Sequence, residues 1–156
     1  MESRMLTTAM LTAINDLRRA KKSIFFVATN RLRAFDAAII RPGRFDMQLF
    51  VGTPNLKARS IQFNQAVSGL SLDSTTKQQA MEVYDDFLVS VWEEDAKYMN
   101  YIEGVKFAQQ CASLLSKSGI LDRESMAAIL KSQTSVMTVR GQVREEFDAS
   151  MNMTRL

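Results

Sequence analysis

The fold class is decided by residues 23–54, SIFFVATNRLRAFDAAIIRPGRFDMQLFVGTP. The run SIFFVA at 23–28 is apolar, β-branched and aromatic, which is typical of a strand buried on both faces. The run MQLFV at 47–51 alternates and predicts a second strand, which the following Gly-Thr-Pro ends. A short helix is expected over 34–40, since it must end before Pro42. The order strand, helix, strand predicts an α/β segment.

A tight turn between the predicted strands, RPGRFD at 41–46, holds two arginines. Pro42 disfavours helical geometry at Arg41, and Gly43 lets the backbone turn without a Cβ clash. Arg44 follows at once, so both guanidinium groups are expected at one exposed corner, where they can meet an anion.

The rest of the chain favours helices. They are predicted over 3–20, 56–67, 73–99 and 103–117, and another begins at the cap Asp122. The inward face of the 103–117 helix is expected to carry Phe107, Ala108, Cys111, Ala112 and Leu115. We therefore predict an α/β segment over 1–54, a helical domain over 55–135, a tail over 136–156, and a chain that is mostly α overall.

Composition excludes several kinds of site within these 156 residues. There is no histidine, so no Ser-His or Cys-His dyad and no HExxH zinc site can form. The single cysteine, Cys111, can form neither a disulfide within the chain nor a cysteine-built zinc site. The longest apolar runs are too short to cross a bilayer. The net charge of +3 is small and scattered, which does not favour nucleic acid as a partner.

Residues 25–59, FFVATNRLRAFDAAIIRPGRFDMQLFVGTPNLKAR, resemble the second half of an AAA+ ATPase core, of the kind found in proteasomal ATPases and membrane-anchored AAA proteases. The resemblance rests on an apolar strand ending in ATN, a short helix, RPGRFD, and a strand ending in G-x-P. It covers residues 3–66 well and the helical remainder loosely. It implies the last strands of a P-loop NTPase-type parallel sheet, followed by an all-α lid domain.

The resemblance assigns three catalytic positions. Asn30 matches the residue called sensor 1, whose amide can hold the attacking water near a γ-phosphate. Arg41 and Arg44 match two arginine fingers, which act in trans on ATP held by the neighbouring subunit and stabilise charge in the transition state. Arg31 is interpreted as an exposed loop charge.

The family's lid opens a helix toward the nucleotide, and YIEGVKF at 101–107 has a similar shape. The resemblance places Gly104 and Lys106 at cofactor-binding positions, although Tyr101 and Ile102 replace small residues there. No glycine is followed by lysine, so the P-loop pattern G-x-x-x-x-G-K-[ST] is absent from these residues. The acid that would hold Mg²⁺ is absent too. We expect a missing upstream half or a partner subunit to hold ATP and Mg²⁺, and this chain alone to be inactive.

Two functions are expected from this resemblance. The first is a partial AAA+ ATPase that acts in an oligomeric ring with other AAA+ subunits, hydrolyses ATP and remodels or unfolds a protein client. The alternative is a non-enzymatic truncated paralogue that docks on AAA+ subunits and regulates them. Neither function needs nucleic acid, a membrane span in this chain or a metal site of its own. The first residues, MESRMLTT, lack an apolar signal region, so an intracellular location is expected, either cytoplasmic or organellar.

Overall fold

A computed structural model describes residues 2–22, 24–29, 31, 47, 49–133 and 137–153. Its helices are α1 Glu2–Ala20, α2 Leu56–Ser68, α3 Ser74–Ser90, α4 Tyr101–Ser118, α5 Arg123–Gln133 and α6 Met137–Met153, with a 3₁₀ turn at Ala96–Tyr98. The expectation of a mostly helical chain is confirmed. Within the described residues, no helix is both long enough and apolar enough to cross a bilayer.

The chain divides into two compact units. The first unit consists of Met1–Val51 together with Arg144–Leu156, and the second, which we call the helical unit, is Gly52–Val143. In the first unit, Phe50 packs edge-on against Phe147 of α6, with ring centroids 5.1 Å apart. This contact joins residues 49–51, which form neither helix nor strand, to a helix that is distant in sequence.

The two predicted strands, 23–28 and 47–51, do not form in the described part of those segments. A strand needs a neighbouring strand for its backbone hydrogen bonds and a packed face for its side chains. The described residues contain no such neighbour, and Ile24 and Phe26 are each 84% exposed. The described residues therefore do not show the predicted α/β segment. The helix predicted over 34–40 lies outside the described residues.

The core of the helical unit is formed by α2, α3, α4 and α5. Phe63 of α2 stacks on Tyr84 of α3, with ring centroids 4.0 Å apart and planes 8° from parallel. Phe107 of α4 completes the aromatic group, 5.6 Å from Tyr84. The inward face predicted for α4 is confirmed, because its residues are all buried: Phe107, Ala108, Cys111, Ala112 and Leu115. Removal of these apolar surfaces from water stabilises the unit.

Two helix starts follow the sequence prediction. The side chain of Asn55 accepts a hydrogen bond from the Ala58 N–H at 2.9 Å, at the start of α2. Asp122 accepts from the Ser125 N–H at 2.9 Å, at the start of α5. Each cap satisfies a backbone donor that the first helical turn leaves without a partner.

The helix predicted over 73–99 is shorter in the structure, because α3 ends before the 3₁₀ turn. The N–H groups of Asp95 and Ala96 both donate to the Val91 carbonyl, each at 3.0 Å, and the chain turns back on itself. The turn places Ala96 and Met99 in the core, where both are 0% exposed. Tertiary burial, which helix propensity does not report, thus sets the end of α3.

Candidate functional site

The three residues predicted to act in catalysis, Asn30, Arg41 and Arg44, lie outside the described residues. Arg31 is described and exposed, as expected. Its backbone N–H donates to the Thr29 hydroxyl at 3.0 Å. The geometry of the candidate site is therefore built from the other two predicted positions, which both lie on α4.

A capping box fixes the first turn of α4. The Asn100 side chain accepts from the Glu103 N–H at 2.9 Å, and the Glu103 carboxylate accepts from the Asn100 N–H at 2.8 Å. Gly104 follows and is buried, whereas Lys106 is exposed. Residues two apart in a helix point in nearly opposite directions, since each residue turns the helix by about 100°. The structure thus does not bring the two predicted cofactor-binding residues together on one face.

A buried arginine of α2, Arg59, lies beside Gly104, and its side chain is 0% exposed. Its Nη2 donates to the Met99 carbonyl at 2.6 Å. Its guanidinium carbon lies 5.8 Å from the centroid of the Trp92 ring, within the range of a cation–π contact. Nε and Nη1 have no hydrogen-bond partner among the described residues. The core therefore holds a guanidinium whose donors are only partly used.

The charge of this guanidinium is only partly balanced. Burial lowers the pKa of Arg59, because loss of solvent disfavours the charged form. Electrostatic interactions with Tyr84 and Glu103 act in the opposite direction and raise that pKa. An arginine nevertheless remains protonated in proteins. The first turn of α4 is thus packed against a buried positive charge, with Glu103 as the carboxylate that its field reaches.

Gly104 allows α2 and α4 to approach closely. A Cβ atom at this position would lie 2.5 Å from Nη1 of Arg59 and 2.6 Å from Oε1 of Gln62. Gln62 also donates from Nε2 to the Tyr101 carbonyl at 3.5 Å, and its Oε1 has no partner among the described residues. Packing between the helices therefore accounts for a glycine at position 104.

Sequence analysis did not single out Arg59 or Gln62. The available signal was the helical spacing of Arg59, Phe63 and Val67, which places a charged residue on the apolar face of α2. The carbonyl that accepts a hydrogen bond from Arg59 could not be predicted from helical spacing, because it belongs to Met99, 40 residues away in the chain. Only the tertiary structure brings the two together.

Comparison with known proteins finds a family match for the first third of the chain. Residues 1–53 match the family described as ATPase family associated with various cellular activities (AAA). The matched residues include the positions of Asn30, Arg41 and Arg44. No solved structure gives a significant match to this chain.

Curated relatives match the same part of the chain. It is 50% identical over 54 residues to Cell division control protein 48 homolog B of Arabidopsis thaliana, a match that covers 35% of this chain and 9% of the relative. It is 45% identical over 58 residues to ATP-dependent zinc metalloprotease FtsH 1 of Alkaliphilus metalliredigens, covering 37% and 10%. It is 33% identical over 72 residues to mitochondrial inner membrane m-AAA protease component AFG3L1 of Mus musculus, covering 46% and 9%. The matches thus span about a tenth of the length of these relatives.

Proposed function

We propose that this chain works as one part of an oligomeric AAA ATPase, because residues 1–53 match the AAA family of ATPases. The observation that carries the proposal is the family match across the residues that hold Asn30, Arg41 and Arg44. In the proposed assembly this chain contributes to the hydrolysis of ATP bound by a neighbouring subunit. The released energy is used to remodel or unfold a protein client.

In this proposal Asn30 and the two arginines act on the γ-phosphate. The amide of Asn30 can donate and accept at once, so it suits holding the attacking water in line. Arg41 and Arg44 stay charged and direct paired donors at phosphate oxygens, where negative charge changes most in the transition state. An arginine supplied in this way is worth about three to five powers of ten in rate in other phosphoryl-transfer enzymes.

We further propose that segments 24–29 and 47–51 become strands of a P-loop NTPase-type sheet when neighbouring strands pair with them. The support comes from the second segment, where Phe50 is covered by Phe147. The alternate residues are bare: Met47, Leu49 and Val51 are 73%, 77% and 90% exposed. Alternation of a covered and a bare face is the pattern of a pleated strand that still lacks a layer.

The helical unit serves as the lid in the proposed assembly, with α4 directed toward the nucleotide. Lys106 is exposed on α4, so its ammonium group can reach a phosphate oxygen. Gly104 is buried against α2, so its proposed contribution is to bring that turn close to the nucleotide through packing. In this proposal, a P-loop and an acidic residue that are not among these 156 residues hold ATP and Mg²⁺.

The test uses the full chain, affinity-tagged and recovered from its own cells with the subunits that accompany it. ATP hydrolysis is measured with the chain present and after its removal. Arg41→Ala and Arg44→Ala are each expected to abolish the hydrolysis that depends on the chain, while the same subunits still co-purify. Arg31→Ala is the matched control, because it removes an exposed arginine from the same region and is expected to leave the rate unchanged.

Two results would go against this role. Hydrolysis that does not depend on the chain at all would refute it. Hydrolysis that responds to the chain but not to Arg41→Ala or Arg44→Ala would instead support the alternative, a non-enzymatic module that docks on AAA subunits and regulates them.

A further inference from the structure

Three side chains of residues 53–62 donate to alternate carbonyls of the peptide that enters α4. The Thr53 hydroxyl donates to the Lys97 carbonyl. Arg59 Nη2 donates to the Met99 carbonyl at 2.6 Å, and Gln62 Nε2 to the Tyr101 carbonyl at 3.5 Å. We call these three side chains the donor row. Because the donor row binds backbone carbonyls, it fixes the position of the start of α4 along α2.

Stability alone does not explain the central member of the row. Arg59 is fully buried, yet Nε and Nη1 remain without partners among the described residues. An apolar side chain of similar volume would fill the same space without unpaired donors, and such replacements of buried charges are often neutral or stabilising. We therefore look for an interaction of the guanidinium that an apolar side chain could not make. That interaction is the hydrogen bond to the carbonyl of Met99, the residue directly before Asn100, which caps α4.

We propose that Arg59 is a positioning residue that fixes the first turn of α4 to α2, beside the bond by which Thr53 holds the same peptide. Thr53 follows the segment 41–46, which carries Arg41 and Arg44, after the six residues 47–52. The donor row thus links the residues after the arginine fingers to the turn that holds Gly104. The link to nucleotide rests on the proposed function, in which this turn faces ATP; the positioning itself does not.

The positioning is tested by hydrogen exchange on the full chain. The amides of Glu103 and Gly104 are the probes, because they donate to the Asn100 side chain and carbonyl at 2.9 and 3.0 Å. Arg59→Met removes the donors and keeps an apolar stem, so the Met99 carbonyl loses its buried partner. Exchange at both amides is expected to become about tenfold faster or more, given the usual penalty for an unpaired buried carbonyl. The amide of Leu130 in α5 is expected to stay unchanged.

Lys57→Met is the matched control, since it removes an exposed cation from the same helix. Its exchange pattern is expected to equal that of the unaltered chain. Unchanged exchange at Glu103 and Gly104 in Arg59→Met would overturn the proposal, as would equal acceleration at Leu130. If Arg59→Met does not fold, Arg59→Lys, which keeps a positive charge but lacks the Nη2 donor to the Met99 carbonyl, is measured with the same probes and judged by the same outcomes.

A second measurement separates this inference from the proposed function. In the recovered ATPase assembly, Arg59→Met is expected to raise the KM for ATP several-fold at an unchanged kcat, because the chemistry does not involve this side chain. An unchanged KM in an assembly that hydrolyses ATP would overturn the link to nucleotide. An assembly without ATP hydrolysis would overturn the proposed function, and the exchange result would still decide whether Arg59 positions α4.

Discussion

The substitution Gly104→Ala tests the close approach of α2 and α4 most directly. In an open helix, alanine is favoured over glycine by about 1 kcal/mol. At position 104 the new methyl group would lie 2.5 Å from Arg59 Nη1 and 2.6 Å from Gln62 Oε1. Both side chains must move, and the buried Arg59 cannot move without disturbing its 2.6 Å hydrogen bond to the Met99 carbonyl. The substitution is therefore expected to destabilise the helical unit, against the helix propensity.

The magnitude follows from three terms. Overpacking of a filled core typically costs about 1–3 kcal/mol. A buried carbonyl left without its donor costs about 1–3 kcal/mol more. After subtraction of about 1 kcal/mol for propensity, the expected loss in the free energy of unfolding is about 1–5 kcal/mol, with a central value of about 3 kcal/mol.

Urea unfolding followed by tryptophan fluorescence measures this loss. The chain has one tryptophan, Trp92, which is half-buried in the helical unit near Arg59. Gly141→Ala is the matched control, because Gly141 is exposed on α6 and its added Cβ would meet no atom within 4 Å. It is expected to stabilise by up to about 1 kcal/mol. A Gly104→Ala chain as stable as the unaltered one would refute the reasoning.

Two further predictions concern titratable groups of the helical unit. Burial raises the pKa of the Cys111 thiol to about 12, so the folded state favours the protonated thiol. The protonated thiol therefore stabilises the folded state fully below the ordinary pKa of 9.0. This stabilisation is lost as the pH rises from 9.0 toward 12. The slope of stability against alkaline pH should therefore flatten in Cys111→Ala, and a thiol reagent at pH 8 should modify the unaltered chain only in denaturant. Hydrogen bonds from Ser125 lower the pKa of Asp122, so this carboxylate stabilises α5 at neutral pH and loses its effect as the pH falls through its lowered pKa. Asp122→Ala is expected to lower the unfolding midpoint at pH 7, whereas Asp122→Asn, which keeps an acceptor for the Ser125 N–H, should lower it less and remove this acid dependence; equal midpoints for all three chains would contradict the capping role.

Local sequence patterns were sufficient to predict most of the described helices. Asn55 and Asp122 mark helix starts because a short side-chain acceptor satisfies a donor three residues on, which is a property of neighbouring residues alone. The inward face of α4 follows from helical periodicity in the same way. The end of α3 could not be predicted like this, since it depends on burying Ala96 and Met99 against other helices.

The sequence by itself indicated the resemblance to the AAA family, which residues 1–53 match, through the apolar runs and RPGRFD of residues 23–54, and it predicted most of the helices that the structure describes. Both depend on residues close together in the chain. Only the tertiary structure decided that segments 24–29 and 49–51 remain without strand pairing, because a strand requires a partner that its own residues do not supply. Only it showed the close approach of Arg59 and Gly104, because these residues lie on different helices, far apart in the chain, and their atoms must fit together in three dimensions.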